Sequence, residues 1–226
     1  MKNIVISGGS DGLGKALAVA LSAKGHKVVI LSPSVDKLKA VAHAADCSYK
    51  VCDISDWEQV QTAVKSAADE LGSIDVLINN AGVGYTGKIE DMEPKNIKHT
   101  FDVNVVGLLY LTKAVVPYMK KQGDGYIINI NSQGGFYARA ERAVYAGSKW
   151  ALTGITKVLQ TELAPSKIKV TGLYPGAMEQ KMAKGGERGP QANSFNYQEM
   201  IDAVEFVLSR DPQTVIPELG IKNLDN

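Results

Sequence analysis

Cysteine is nearly absent from the 226 residues, occurring only as Cys47 and Cys52. Two neighbouring thiols build no disulfide framework, and with His43 they leave a closed zinc site one ligand short. Reduced, structural cysteines and no metal are expected. An excess of one charge is missing as well. Lysine and arginine number 25 against 24 acidic residues, a net charge of +1, so nothing in the balance argues for nucleic acid or an anionic membrane as a partner. No run approaches the roughly 18 apolar residues of a membrane span. Met1-Lys2 runs straight into Asn3-Ile4-Val5-Ile6-Ser7, without the apolar region and cleavage site of a secretory leader. A cytoplasmic protein is expected. Aromatic residues are sparse at 7%, but apolar residues reach 45%, which excludes a disordered or fibrous chain. The length suits one domain spanning 1–226.

What is there is an alternation of short apolar runs and longer amphipathic stretches. Strands are expected at 4–7, 27–31, 48–52, 75–79, 125–131, 167–173 and 214–217. Between them Leu13, Leu17 and Leu21 repeat every four residues, and Trp57, Val60 and Val64 keep one face. The strands are continuous in apolar character, as strands covered on both faces are. An α/β fold follows: a doubly wound parallel sheet of about seven strands with helices on both faces, in three layers. One stretch breaks the rhythm, at about 177–199, where Gly185-Gly186 and Gly189-Pro190 interrupt a polar run. Its place after the sixth strand, at the carboxyl edge of the sheet, suggests a substrate lid.

The first strand ends in Ser7-Gly8-Gly9-Ser10-Asp11-Gly12-Leu13-Gly14. Glycines there allow a sharp turn, close approach of a pyrophosphate, and tight packing of the following helix, whose N-terminus favours phosphate. The spacing is not the usual G-x-G-x-x-G. Gly9 to Lys15 also spells the start of a P-loop, but Ala16 stands where a Mg²⁺-binding hydroxyl is needed.

Of nine tyrosines only Tyr145 is followed four residues on by a lysine, Lys149, one helical turn away on the same face. Ser132 ends the fifth strand, 13 residues before Tyr145, and Asn79-Asn80-Ala81-Gly82 closes the fourth at the same edge. Asn104 lies in an apolar helical run, where an amide needs a specific partner. Together with Asp53-Ile54 and Pro175-Gly176, in this order and at these spacings, these residues resemble the short-chain dehydrogenase/reductase family in its single-domain, Rossmann-type form. The resemblance covers nearly the whole chain.

It implies a carbonyl reductase or alcohol dehydrogenase that transfers hydride with a nicotinamide dinucleotide. Tyr145 would be the acid/base. Lys149 would lower the phenol from its usual pKa near 10 and hold the nicotinamide ribose. Ser132 would donate a hydrogen bond to the reacting oxygen, and Asn104 would hold a water linking Lys149 to solvent. The cofactor would lie on Gly8, Ser10, Asp11, Gly12, Leu13 and Gly14, then Ser32 and Ser34, Asp53 and Ile54, and Asn80, Ala81 and Gly82. At its nicotinamide end it would meet Tyr145, Lys149, Pro175, Gly176 and Met178. The family's Pro-Gly-x-x-x-Thr has Gln180 at the threonine position, so that contact differs here. Leu31-Ser32-Pro33-Ser34 offers no carboxylate to repel a 2′-phosphate, and Ser32, Ser34 and Lys37 can donate to one. NADP(H) is therefore favoured over NAD(H), although Asp11 occupies a position that is basic in many NADP-using members. The substrate pocket is expected from Tyr85, Gln133, Phe136, Tyr137, Met178, Phe195 and Tyr197, a set with no convergent arginine pair, hence a neutral ketone or aldehyde. A non-catalytic dinucleotide sensor is the alternative, disfavoured because it needs no complete Ser132, Tyr145 and Lys149. The excess apolar positions on the helix from about 143 to 163, and on the segment with Val105, Leu108 and Val115, predict a homodimer at least, or a homotetramer joined near 215–219.

Overall fold

The computed structural model describes residues 1–178 and 196–224. Seven parallel strands form one sheet in the order β3-β2-β1-β4-β5-β6-β7. They are β1 (Asn3–Ser7), β2 (Lys27–Ser32), β3 (Ser48–Val51), β4 (Val76–Asn79), β5 (Gly125–Ile130), β6 (Ile168–Pro175) and β7 (Glu218–Ile221). Successive side chains on a strand point to opposite faces, and here both faces are covered. Ile4, Ile6, Val28 and Ile30 join one apolar cluster with Leu13, Leu17 and Val204, whereas Val5, Val29 and Leu31 join another with Val60, Val64 and Leu111. Each fully buried aliphatic side chain contributes about 1.5–3 kcal/mol. That is why the centres of β1 and β2 are aliphatic, with their polar residues at the strand ends.

Helices α1 (Gly12–Ala23), α2 (Val35–Ala45) and α7 (Tyr197–Leu208) lie on the first face. Helices α3 (Trp57–Leu71), α4 (Pro94–Phe101), α5 (Leu108–Gln122) and α6 (Ala143–Leu163) complete the chain order. Their ends follow capping chemistry: Asp56 accepts from the Gln59 N–H at the start of α3, and Gly72 ends it with φ of 81°. Between α4 and α5 the backbone runs through a π-helical turn, Asp102–Gly107.

The seventh strand corrects the sequence expectation. Val215-Ile216 looked like its core, but Pro217 has no N–H to give to a ladder. Pairing with β6 begins only after it, with Gly172 opposite Glu218 and Pro175 opposite Ile221. Of the expected lid, 179–195 fall outside the described residues, and Tyr197 already opens α7. Among the described residues no helix is long and apolar enough to cross a membrane.

Candidate active site

The strand order reverses between β1 and β4, and ligands of open α/β sheets bind at the carboxyl edge beside that point. The glycine loop lies there. Gly8 and Gly12 adopt φ of +67° and +52°, conformations glycine reaches without strain. A Cβ on Gly14 would stand 2.2 Å from the Gly8 carbonyl oxygen, so no larger residue lets α1 pack this closely. Asn80 ties the end of β4 to the loop, its Nδ2 donating to the carbonyls of Ser7 at 2.9 Å and Gly8 at 3.3 Å. The Ser7 hydroxyl accepts from the N–H of Asn80 and of Ala81, each at 3.1 Å. Gly82 leaves a cradle open: a Cβ there would stand 3.4 Å from Asn104 Oδ1 and 3.8 Å from Lys149 Nζ.

At the other end of this cleft Asp11 caps α1, accepting from the Gly12 N–H at 2.8 Å, and pairs with Lys37 at 2.6 Å. The Lys37 ammonium, then the Gly12 N–H, hold its carboxyl below the usual range. Ser32 is buried, with its hydroxyl 2.8 Å from that of Ser10 and accepting from the Ser34 N–H at 3.3 Å. Residues 33–37, just past the end of β2, are all exposed, among them Ser34, Asp36 and Lys37. Asp53 Oδ1 accepts from the Ser55 N–H and hydroxyl at 2.9 and 2.7 Å, and Ile54 is buried against Gly107. Leu13 lies in the core, and the Gly176 N–H donates to the Ile221 carbonyl at 2.7 Å.

Ser132, Tyr145 and Lys149 meet where β5 and α6 converge. Ser132 Oγ accepts from the Gly134 N–H at 3.0 Å, which leaves its proton to be donated elsewhere. Burial pushes the Tyr145 phenol above its usual pKa, while hydrogen bonding with Ser132 and the charge of Arg142 pull it partly back. Lys149 is buried, and its ammonium donates to the Ile130 carbonyl at 3.1 Å. Burial lowers its pKa to about 8. Lys149 is not among the groups that pull the phenol down; desolvation acts on both side chains, raising the one and lowering the other.

Asn104 lies in the π-helical turn. Its Oδ1 accepts from the Val83 N–H at 2.8 Å, and its Nδ2 donates to the Val83 carbonyl at 2.8 Å and to Ser148 Oγ at 2.9 Å. Ser148 in turn donates to the Tyr145 carbonyl at 2.7 Å. Both amide protons of Asn104 are in use, so a water could meet its side chain only at the second Oδ1 lone pair.

The expected pocket residues divide. Tyr85 is half-buried and edge-on to His99 at 6.3 Å. Phe136 stacks on Tyr174 with centroids 4.0 Å apart, and the exposed Tyr137 meets Phe136 edge-on at 6.5 Å. Gln133 donates from Nε2 to the Tyr174 carbonyl at 2.8 Å. Met178 packs on the core cluster. The Tyr197 hydroxyl lies 3.4 Å from where a Gly12 Cβ would be, beside the glycine loop. Gln180 and Phe195 lie outside the described residues.

Two partners escaped the sequence reading. Thr153 accepts from Asn131 Nδ2 at 2.9 Å and lies 3.2 and 3.1 Å from the carbonyls of Gly135 and Lys149. It thereby joins the Ser132 loop to the Lys149 turn. Arg142, three residues before Tyr145, shares its face. In both cases helical spacing from Tyr145 and Lys149 was the available signal.

Residues 2–190 match the profile of the short chain dehydrogenase family. A trans-4-hydroxycyclohexanecarboxylate dehydrogenase from Sinomonas cyclohexanicum is 33% identical, the match covering 92% of this chain and 86% of the relative. An alcohol dehydrogenase from Thermococcus sibiricus, complexed with 5-hydroxy-NADP, superposes with a TM-score of 0.91 at 25% identity, covering 99% of this chain and 97% of that one. A 3-ketoacyl-(acyl-carrier-protein) reductase from Brucella melitensis, complexed with NADH, gives a TM-score of 0.91 at 28% identity, covering 98% and 96%. With glycine loop, sheet order and sequence in agreement, the chain belongs to the short-chain dehydrogenase family of oxidoreductases.

Proposed function

We propose that this protein interconverts a carbonyl and an alcohol with a nicotinamide dinucleotide, using Tyr145 as the acid/base. The observation that carries the reading is the meeting of Ser132, Tyr145 and Lys149 beside the open cradle at Gly82. The cleft fits the dinucleotide: left-handed glycines and a helix N-terminus face one end, and the Gly82 cradle fronts Lys149 and Asn104 at the other. Gly8, Ser10, Gly12 and Gly14 would take the pyrophosphate, Asn80, Ala81 and Gly82 the adjacent ribose, and Lys149 with Tyr145 the nicotinamide ribose. Bound there, the dinucleotide supplies or accepts the hydride at the substrate carbon. Tyr145 then gives its proton to the substrate oxygen, and Ser132 donates a hydrogen bond as charge develops on that oxygen. A phenol kept protonated by burial suits the reductive direction. Lys149 supplies a cation one helical turn away, and Asn104 fixes the Val83 segment beside it.

The relatives complexed with 5-hydroxy-NADP and NADH support the cofactor class. β2 ends in Ser32 rather than a carboxylate, and the exposed Ser34 and Lys37 can donate to a 2′-phosphate, which favours NADP(H), with the exposed Asp36 between them acting against it. The Lys37 pair with Asp11 acts in the opposite direction.

Replacing Tyr145 by Phe removes the proton donor and almost no volume. Turnover should fall by about 10²–10⁴-fold while dinucleotide affinity, measured by titration, stays near wild type. A variant keeping more than about a tenth of the rate would refute the acid/base role. The same assay, run with both cofactors, should give the higher kcat/KM with NADPH; a roughly tenfold preference for NADH, about 1.4 kcal/mol, would overturn that choice.

A further inference from the structure

A wholly buried phenol lies under the loop that carries Ser132, where packing alone asks for no hydroxyl. Tyr174, next to last in β6, is 0% exposed. Its ring folds back over Gly172, where a Cβ would stand 2.8 Å from Cε2 and 2.9 Å from the hydroxyl oxygen. Gly172 is paired with Glu218 at the start of β7, so the folded ring delivers its hydroxyl to that carboxylate. It donates to Glu218 Oε1 at 3.0 Å, and the exposed Lys157 lies 3.5 Å from the same oxygen. On the other side Asn129 of β5 is opposite Gly172, and Asn131, two residues on, falls beside Tyr174 on the same face. Burial, then the Glu218 hydrogen bond and charge, push the phenol up to about 12, while hydrogen bonding with Thr153 and Asn131 pulls partly back. A polar strip thus crosses β7, β6 and β5 beneath α6, from Glu218 through Tyr174 to Asn131 and Thr153.

The strip ends at the reacting groups. Asn131 precedes Ser132 in the chain, and Thr153 Oγ1 lies 3.1 Å from the Lys149 carbonyl. The turn after Ser132 also rests on Tyr174 twice, through the Gln133 amide on its carbonyl and the Phe136 ring on its own. A phenylalanine would serve both of those contacts. The hydroxyl is extra, and burying it beside a half-buried carboxylate costs solvation that only well-placed partners offset. We propose that Tyr174 is a positioning residue for the reaction: held by Glu218, it fixes the loop from which Ser132 presents its hydroxyl to the reacting oxygen. The proposal rests on the carbonyl–alcohol reading above and deepens it. It makes the last strand part of the apparatus that aligns the site, where a small misplacement lowers the rate steeply.

Two measurements on the full chain test it, with melting temperatures as the check on folding. In the first, kcat for reduction of cyclohexanone and benzaldehyde by NADPH is compared in a double-mutant cycle of Tyr174→Phe with Ser132→Ala. Tyr174→Phe alone should lose about tenfold or more, with NADPH affinity within about twofold of wild type. In the Ser132→Ala background, itself slower by about 10²–10³-fold, it should cost no more than about twofold further. Glu218→Leu should behave like Tyr174→Phe, whereas Glu218→Gln, which keeps an acceptor oxygen, should retain most of the rate; this pair carries the same cycle if Tyr174→Phe does not fold. In the second, carbon NMR of labelled tyrosine follows the Cζ signal of Tyr145, whose phenol hydrogen-bonds with Ser132. The signal should move in Tyr174→Phe towards its place in Ser132→Ala and move no further in the double variant. An equal loss of rate in both backgrounds, or a Tyr145 signal that stays in place, overturns the proposal and leaves the reductase reading standing. A signal that moves as expected, in a protein that loses no rate in Ser132→Ala, keeps Tyr174 as the support of Ser132 and removes the catalytic reading of that serine. Full rate in Glu218→Leu overturns the part given to Glu218.

Discussion

A buried ammonium destabilises a fold wherever it stays charged, and Lys149 is such a group. Burial lowers its pKa from 10.5 to about 8, with the Ile130 carbonyl accepting from it. Below about pH 8 the lysine is charged in both states, and the folded state bears the desolvation penalty. From about pH 8 to 10.5 the unfolded chain keeps a proton that the folded protein has released, so stability rises with pH across that window. The gap amounts to on the order of 3 kcal/mol. Lys149→Met carries no such titration. Denaturant unfolding of both proteins from pH 7 to 10.5 should therefore show wild type gaining on the variant by about that amount. A difference that stays flat with pH would mean that Lys149 is not desolvated in the folded protein. Comparing the pH dependence also removes the fixed cost of leaving the Ile130 carbonyl without its donor. A residue retained at this expense in stability is one the site needs charged or poised to charge.

Among the elements, the joint between the Ser132 loop and α6 sets the geometry of the site. Gly135 lies where a Cβ would stand 2.8 Å from Thr153 Oγ1, 2.9 Å from the Lys149 carbonyl and 3.0 Å from Asn131 Oδ1. Gly135→Ala must push the loop off the helix, and overpacking of this kind costs about 1–3 kcal/mol. Because the loop carries Ser132 and the helix carries Tyr145 and Lys149, kcat should drop on the order of ten- to a hundredfold. Dinucleotide affinity should change little. Wild-type melting and turnover in this variant would show that the joint is soft. Such joints mark the limit of what the chain reveals in one dimension. Tyr145 and Lys149 were legible because their relation is a single helical turn, and β1, β2 and β4 because buried parallel strands are continuous apolar runs. Thr153 and Asn131 read as ordinary polar residues, since their roles depend on contacts across 18 and 22 positions. The last strand was misplaced because two apolar residues outweighed the donor that Pro217 lacks. The field at the phenol was misjudged for a related reason: burial is a property of the packed molecule, and the sequence shows only the neighbouring charge.

At the scale of the whole molecule, exposed apolar side chains line up along one helix. On α6, Trp150 is 51% exposed and Val158 is 62% exposed, with the exposed Gly154 midway between them. Spacing by four residues places all three on one line of the helix, opposite the buried Leu152, Thr156 and Leu163. Leu109 at the head of α5 is 40% exposed, and the partly exposed Phe101 at the end of α4 lies against Gly147 of α6. Scattered exposed apolar residues need no explanation, but aligned ones gathered on adjoining helices leave a face that water solvates poorly. Two copies related by a two-fold axis would bury it in a self-complementary contact, and the small Gly154 lets the facing helices approach. We therefore predict a homodimer through α5 and α6. Size exclusion with light scattering at micromolar concentration should give about twice the 24.2 kDa of one chain. Trp150→Glu, which sets two like charges against each other across the axis, should shift the mass towards a single chain without lowering the melting temperature of the monomer core. A wild-type mass of one chain would reject the dimer. A dimer unmoved by Trp150→Glu would place the interface elsewhere, with the pairing of β7 edges as the next surface to test.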